Sequence, residues 1–428
     1  MADAAEVPGG YVRRLVDDKL DELLPELPAI LLDGPKGVGK TATALQRCHT
    51  IRRLDVSANR ELIEADPDLV GDGAPPILVD EWQRAPVVWD AVRRLVDHDP
   101  SGGRFILTGS PPAQGTHSGA GRITTVRMRT LSLPERNLTT PTVSLRALLA
   151  GERPPVAGLC PLKLADYVDE IMQGGFPGMR RLSGRALNQQ LDGYLERIVD
   201  HDLAEAGLPV RRPATVRAWL RAYAGATATT TSWEKIRDAA TSDMASKPAR
   251  STTSVYEELL TSMRILDPLE AWLPTLNHLG RLTAAPKHHL VDPSLAVRLL
   301  NRTRRHLLAG DDGSLPRVRD GSLLGGLFES LAALSIRVLA QTAEAHTYHL
   351  RTMGGRHEVD LIVEGPEGIV AFEVKLAASV TDQDVQHLRW LQETIGDDLV
   401  DAAVLTTGPD AYRRRDGIGV IPLGLLGP

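Results

Sequence analysis

Cysteine is nearly absent from the 428-residue chain. Only Cys48 and Cys160 occur, and neither has neighbours at metal-ligand spacing. A disulfide framework and a zinc ribbon are therefore excluded, and a reducing cytoplasm is the expected compartment. Aromatic residues make up 4 %, too few for the stacking platforms that grip single strands. No run of ~18 apolar residues reads as a membrane span, and the acidic residues 1–10 lack the apolar core of a secretory signal. Positive charge is also in short supply, with a net charge of −6. Coating of nucleic acid by bulk charge is excluded, and any such contact needs a local patch. Lysine is scarcest of all: 8 of the 49 basic residues, against 41 arginines. The surviving lysines then mark places where a guanidinium will not serve, and Lys36, Lys40 and Lys375 fall in the motifs below.

What is present is the balance of a globular protein, 42 % hydrophobic and 24 % charged. At ~150 residues per domain the length suggests roughly three domains. Apolar residues at Val12, Leu15, Val16, Leu20, Leu23 and Leu24 predict a helix over 11–24, stopped by Pro25 and Pro28. Apolar strands are predicted at 29–32, 77–79 and 104–108, and a further one at 123–128, with helices at 41–47 and 87–96 between them. Uniformly apolar strands alternating with helices predict a parallel sheet covered on both faces. Residues 161–226 read as helical. A helix from Trp233, a break near Ser242 and Asp243, and a second helix over 251–260 predict a helix-turn-helix, with wing strands at 265–273 and 287–291. The Gly-, Asp- and Pro-rich loop 309–319 reads as a domain boundary. A long apolar helix (323–340), several strands and a closing helix and strand follow it.

The run Gly34-Pro35-Lys36-Gly37-Val38-Gly39-Lys40-Thr41 fits a phosphate loop: a strand, two glycines four residues apart, then Lys, Thr and a helix. Glycines let backbone N–H groups converge on phosphates. Lys40 reaches the β and γ phosphates of ATP, and the Thr41 hydroxyl binds Mg²⁺. Asp80 and Glu81 end a later strand as a Walker B pair, with Asp80 on the metal and Glu81 polarising the attacking water. Thr108 and Ser110 are placed to sense the γ-phosphate, and Arg122 is a candidate arginine finger.

Residues 358–375 read as a β-hairpin with a four-residue turn. A symmetric turn sets Asp360 opposite Glu373, and strand alternation puts Lys375 on the same face as Glu373. Carboxylates set directly opposite each other repel, and a divalent cation is the usual reason to tolerate that. This is the D…ExK pattern of metal-dependent nucleases, with Mg²⁺ or Mn²⁺ on Asp360 and Glu373. Glu329 interrupts an apolar helical run and is a candidate further carboxylate. A solvent-exposed hairpin with Lys375 paired to Asp360 or Glu358 is the plainer alternative.

Together these segments resemble the bacterial and archaeal AAA-type ATPases with a C-terminal DUF4143 region. The likeness is carried by 34–41, by 77–81 followed by Trp82-Gln83-Arg84-Ala85-Pro86, by 106–110, by Gly121-Arg122 and by Gly174-Gly175-Phe176-Pro177. Residues 194–202, 287–295, 325–329 and 358–375 carry it further. The resemblance implies an α/β protein in four parts. These are a P-loop ATPase core (1–150), a helical lid (151–226), a winged-helix module (227–308) and a smaller restriction-endonuclease-like domain (318–428). The Gly/Ser-rich loop 115–121 departs from the family pattern beside Arg122. Three functions are compatible with this. One is a DNA-directed ATPase with a metal-dependent nuclease domain. The second is a nucleotide-switched regulator whose nuclease fold is an inert scaffold. The third is a signalling ATPase whose winged helix binds protein. ATP and DNA are the expected partners, self-association is left open, and a membrane is not expected.

Overall fold

The computed structural model describes residues 10–109, 119–208, 210, 212–241, 250–273, 285–308 and 321–428. Ser110, Lys247, the helix-turn-helix break at 242–243 and the boundary loop 309–319 lie outside the described residues. The chain forms two compact units. The first comprises Met1–Arg129, Phe176–Gly178 and Ser262–Arg264. The second comprises Thr130–Gly175, Met179–Thr261 and Ile265–Pro428.

The first unit is built on five parallel strands: β1 (Ala29–Asp33), β2 (Thr50–Arg53), β3 (Ile77–Asp80), β4 (Phe105–Gly109) and β5 (Ile123–Arg127), in the order β2-β3-β4-β1-β5. Every residue of β1, β3 and β4 is buried, which is why these strands are apolar throughout rather than alternating. Helices α1 (Leu15–Leu23), α2 (Lys40–Leu45), α3 (Ser57–Ala65) and α4 (Val87–His98) accompany the sheet. Neither β2 nor α3 was expected. The Thr-Ile-Arg-Arg sequence of β2 has one apolar residue and is half-buried at the sheet edge, so it carries no strand signature. One core layer packs Ala29, Leu31, Val79, Phe105 and Leu107 of the sheet against Trp82, Trp89, Val92 and Val96. The Trp82 and Trp89 rings lie 4.7 Å apart.

The second unit holds a seven-stranded mixed sheet. Its strands are β7 (Gly158–Leu159), β8 (His346–Arg351), β9 (Glu358–Gly365), β10 (Gly368–Lys375), β11 (Leu399–Thr406), β12 (Asp410–Arg413) and β13 (Gly419–Pro422), in the order β7-β12-β13-β11-β10-β9-β8. β6 (Val143–Ser144) pairs separately with β14 (Leu426–Gly427). Residues 143–144 and 158–159, expected in the first two parts of the chain, thus pair with strands from its C-terminal end. Strands of two residues are too short to show periodicity. The β9–β10 hairpin has the expected register, with Gly365 opposite Gly368 and Leu361 opposite Phe372. Helix Gly321–Thr342 is long and apolar enough to cross a membrane by length and composition. It is a core helix here, with Leu327, Phe328, Leu331 and Ile336 fully buried.

The helical expectation for 161–226 resolves into helices Leu164–Gln173, Gly184–Arg197 and Pro213–Gly225, with a π-helical turn at Ile198–Asp202. Helices Trp233–Ala240 and Arg250–Ser262 follow. Two antiparallel bridges, Leu266↔Leu290 and Leu269↔Lys287, then join the segments expected to form a wing. Ala271 makes a parallel bridge to His349 of β8, and backbone bonds Trp272 N–H to His349 O and His349 N–H to Glu270 O support it. The segment after the helix pair therefore lies along the edge of the C-terminal sheet.

Candidate functional site

The phosphate loop leaves the buried end of β1 under tight steric limits. A Cβ on Gly34 would lie 2.3 Å from the Met128 carbonyl oxygen, so no side chain fits. Gly37 and Gly39 take φ of +82° and +97°, in the left-handed region that glycine enters freely. Pro35 and Val38 are buried, while Lys36 and Gly37 are exposed. Lys40 arches over the loop and donates to the carbonyls of Gly34 (2.7 Å) and Pro35 (2.9 Å). Burial lowers its pKa to about 8, with Glu81 and Asp33 working the other way. Arg14, which the sequence did not single out, is buried beside the loop. It donates to the carbonyls of Val38 and Arg129, each at 3.0 Å. Asp33, the last residue of β1, gathers Arg264 (2.8 Å) and Arg127 (3.3 Å).

The Walker B residues sit at the adjoining strand ends. Asp80 Oδ1 accepts from the hydroxyls of Thr41 (2.8 Å) and Thr108 (2.5 Å). Hydroxyls from β4 and the start of α2 thus converge on one carboxylate oxygen at the end of β3. The register β1–β4–β3 produces this, since Asp80 pairs with Thr108 in the ladder. Glu81 follows in a left-handed conformation, φ 55° and ψ 44°. That conformation costs a non-glycine residue on the order of 1–2 kcal/mol, and such strain gathers at functional sites. Buried Trp82 anchors the turn. Gln83 Nε2 donates to Glu81 Oε2 at 2.5 Å, and Gln83 Oε1 occupies the space a Cβ on Gly109 would fill. Arg122 is half-buried and donates to Asp97 of α4 (2.7 Å) and the Ala120 carbonyl (3.3 Å).

The second unit brings together Asp360, Glu373 and Lys375, as the hairpin register predicts, and adds the candidate Glu329 from the helix Gly321–Thr342. It adds a residue the hairpin did not reveal. Lys287, 1 % exposed, places its ammonium 2.8 Å from Glu329, 2.9 Å from Asp360 and 3.1 Å from Glu358. Its three N–H donors match three carboxylates, a geometry a planar guanidinium does not reproduce. Burial opposes its charge, but the three carboxylates outweigh burial and hold its pKa well above the ordinary value. Burial would also raise Asp360, yet Lys287 and Lys375 bring its pKa down to about 2. The Val374 N–H donates to Asp360 Oδ2 at 3.0 Å. Burial pushes Glu329 up to about 8 against the pull of Lys287. Burial and then Asp360 hold Glu373 well above its ordinary value, with Lys375 opposing. Lys375 donates to Glu373 Oε2 at 2.8 Å, while Glu373 Oε1 finds no donor on the protein. The scarcity of lysine was the signal that could have found Lys287.

The parallel sheet with this loop, Walker B aspartate and strand-end threonine defines the first unit as a P-loop NTPase. A model described as an AAA domain matches residues 26–137, and one for the domain of unknown function DUF4143 matches residues 324–426. The chain thus carries an AAA domain and, at its C-terminal end, a DUF4143 domain. Between them, residues 164–306 match a second domain of unknown function, DUF8612. The uncharacterized protein Rv2008c of Mycobacterium tuberculosis is 27 % identical over 376 residues, covering 85 % of this chain and 74 % of its own. The uncharacterized protein Mb2031c of Mycobacterium bovis has the same identity and coverage. Among solved structures, the Walker-type ATPase PABY2304 of Pyrococcus abyssi aligns with a TM-score of 0.39 and 16 % identity, over 69 % of this chain and 97 % of that one. The ORC2 protein of Aeropyrum pernix aligns with a TM-score of 0.29 and 14 % identity, over 69 % and 93 %.

Proposed function

We propose that the chain is an ATP-hydrolysing, nucleotide-switched protein whose C-terminal domain is a nuclease-like scaffold. The observation that carries the hydrolysis is the convergence of the Thr41 and Thr108 hydroxyls on Asp80 Oδ1 beside Glu81. The residues fit magnesium-ATP: backbone N–H groups of 34–41 and Lys40 bind the phosphates, while Thr41 and Asp80 hold the metal. The metal supplies charge neutralisation for the phosphate oxygens. Thr108 fixes the Asp80 rotamer, and Glu81 polarises the attacking water. Lys40→Ala should abolish nucleotide binding. Glu81→Gln should keep binding and lose turnover, and equal ATPase rates in Glu81→Gln and wild type would sink the role of Glu81.

Three helices (213–225, 233–240, 250–262) followed by two bridged segments support a winged-helix reading of the middle of the chain. DNA contact there belongs to this proposal, with Arg250, the first residue of helix Arg250–Ser262, and Lys247, three positions before it in sequence, as the basic residues. Duplex binding should fall steeply with salt. Unchanged affinity in a Lys247→Glu, Arg250→Glu double variant would mean the module binds something else. For the C-terminal domain the residues do not fit a divalent metal, because the Lys287 ammonium already lies against Glu329, Glu358 and Asp360. No cleavage step is therefore derived, and the scaffold reading is preferred over a nuclease.

A further inference from the structure

The scaffold reading leaves a question of chemistry. Four carboxylates are drawn to one place, with Asp360 and Glu373 buried and Glu329 and Glu358 half-buried. Uncompensated, such a group would not fold. Lys375 answers Glu373 from the same strand, and Arg351 answers the outer oxygen of Glu358 at 3.3 Å. The centre is answered from outside the hairpin. Lys287 lies on the segment bridged to Leu269, with reciprocal backbone bonds of 2.9 Å in both directions. That pairing fixes its Cα, so the side chain has one place to go.

We propose that Lys287 is the resident cation of the D…ExK cluster, an ammonium standing where a nuclease fold of this pattern would carry a divalent metal, and that removing it opens a metal site. The inference rests on the scaffold reading of the C-terminal domain. Three features carry it. The ammonium spans three carboxylates from two elements, Glu329 of the helix Gly321–Thr342 and Glu358 and Asp360 of β9, as a bridging cation does. It makes one contact to each, at 2.8–3.1 Å. It pairs through Leu269 with the segment that Ala271 bridges to His349 of β8, so it is held by tertiary pairing. With Lys287 gone, hard oxygen ligands from Glu329, Asp360 and Glu373 would remain, the donor set that suits magnesium or manganese.

The test is a Mn²⁺ titration of the nucleotide-free full-length protein, followed by electron paramagnetic resonance and by melting temperature. Wild type and Asp360→Asn are expected to bind the same number of Mn²⁺ ions, because the cluster takes none. Lys287→Ala is expected to melt lower than wild type and to gain one Mn²⁺ site. Mn²⁺ should recover several degrees of its melting temperature, because the ion binds only the folded state. The gain should vanish in Lys287→Ala combined with Asp360→Asn. A Mn²⁺ site in wild type that Asp360→Asn removes would overturn the proposal, and this comparison stands even if Lys287→Ala does not fold. A folded Lys287→Ala that gains no site would overturn it too. A plasmid-nicking assay separates the two layers. Nicking by wild type that Asp360→Ala abolishes defeats the scaffold reading itself. Absence of nicking together with no gained site defeats only the role given to Lys287.

Discussion

Gly34 has its absent Cβ aimed at the Met128 carbonyl oxygen 2.3 Å away, a backbone atom that cannot yield, with the Val38 side chain 3.2 Å away. Gly34→Ala should therefore lose nucleotide binding and destabilise the first unit, read as loss of both ATP-dependent stabilisation and melting temperature. Thr108 shows a different economy. Its hydroxyl donates to a buried carboxylate, and hydrogen bonds to charged groups contribute about 1.5–3 kcal/mol. Thr108→Val should lower nucleotide-free stability by about that amount in chemical denaturation while leaving the fold intact. It should also lower kcat, because Asp80 then keeps only Thr41. Lys287 stands at the far end of the scale. Breaking a buried ion pair from one side costs about 3–5 kcal/mol, so Lys287→Met should be among the most destabilising single changes in the second unit.

At the scale of elements, the loop over 34–41 is held from its flank as well as from within. Arg14, just before α1, ties the Val38 and Arg129 carbonyls together. Arg14→Ala removes two hydrogen bonds from buried acceptors, at about 1–3 kcal/mol for each group left unsatisfied. It leaves the phosphate-binding groups of the loop in place. The expected outcome is a raised KM for ATP with kcat changed less, measured by steady-state ATPase kinetics. The bridged segment 287–291 carries a second element-scale device. His289 is buried, and burial, then Arg337 and Lys287, lower its pKa to about 3, with Asp267 opposing. His349 on the neighbouring β8 is lowered to about 4 by burial and by Lys287. Both are depressed from about 6.5, so each contributes stability that is complete above pH 6.5. That contribution is lost as pH falls toward 4 and then 3, because the unfolded chain takes up protons the folded one refuses. The slope is up to about 1.4 kcal/mol per pH unit for each histidine. Denaturation midpoints should fall between pH 6.5 and 4, and His289→Leu should flatten the fall.

At the scale of the whole molecule, strand pairing in the second unit joins stretches of chain far apart in sequence. Residues 318–428 lack Lys287, the 266–272 segment along β8, and the partners of β12 and β14 at 158–159 and 143–144. A fragment covering 318–428 should be unfolded or aggregated by circular dichroism and size exclusion. A fragment covering 130–428 carries all of these partners and should fold. Independent folding of the short fragment would refute the shared role of the bridged segment.

The sequence by itself determined what short range can encode. The phosphate loop was legible because glycines at positive φ, the lysine and the threonine act within eight residues. Strands β1, β3 and β4 were legible because burial on both faces demands unbroken apolar runs. The 360–373 pairing was legible because a hairpin's turn sets its register. Other features belong to the tertiary structure. β2 and the two-residue strands β6 and β7 exist through their partners and carry no pattern of their own. Arg14, Gln83, Arg127 and Arg264 act through contacts tens to hundreds of residues distant in the chain, or through an ordinary-looking side chain beside a motif. Lys287 is the clearest case. From sequence, two opposed carboxylates and a lysine imply a metal, since charge has to be answered. Only the fold decides that the answer comes from an ammonium 73 residues away, because chain proximity does not report which buried charge meets which.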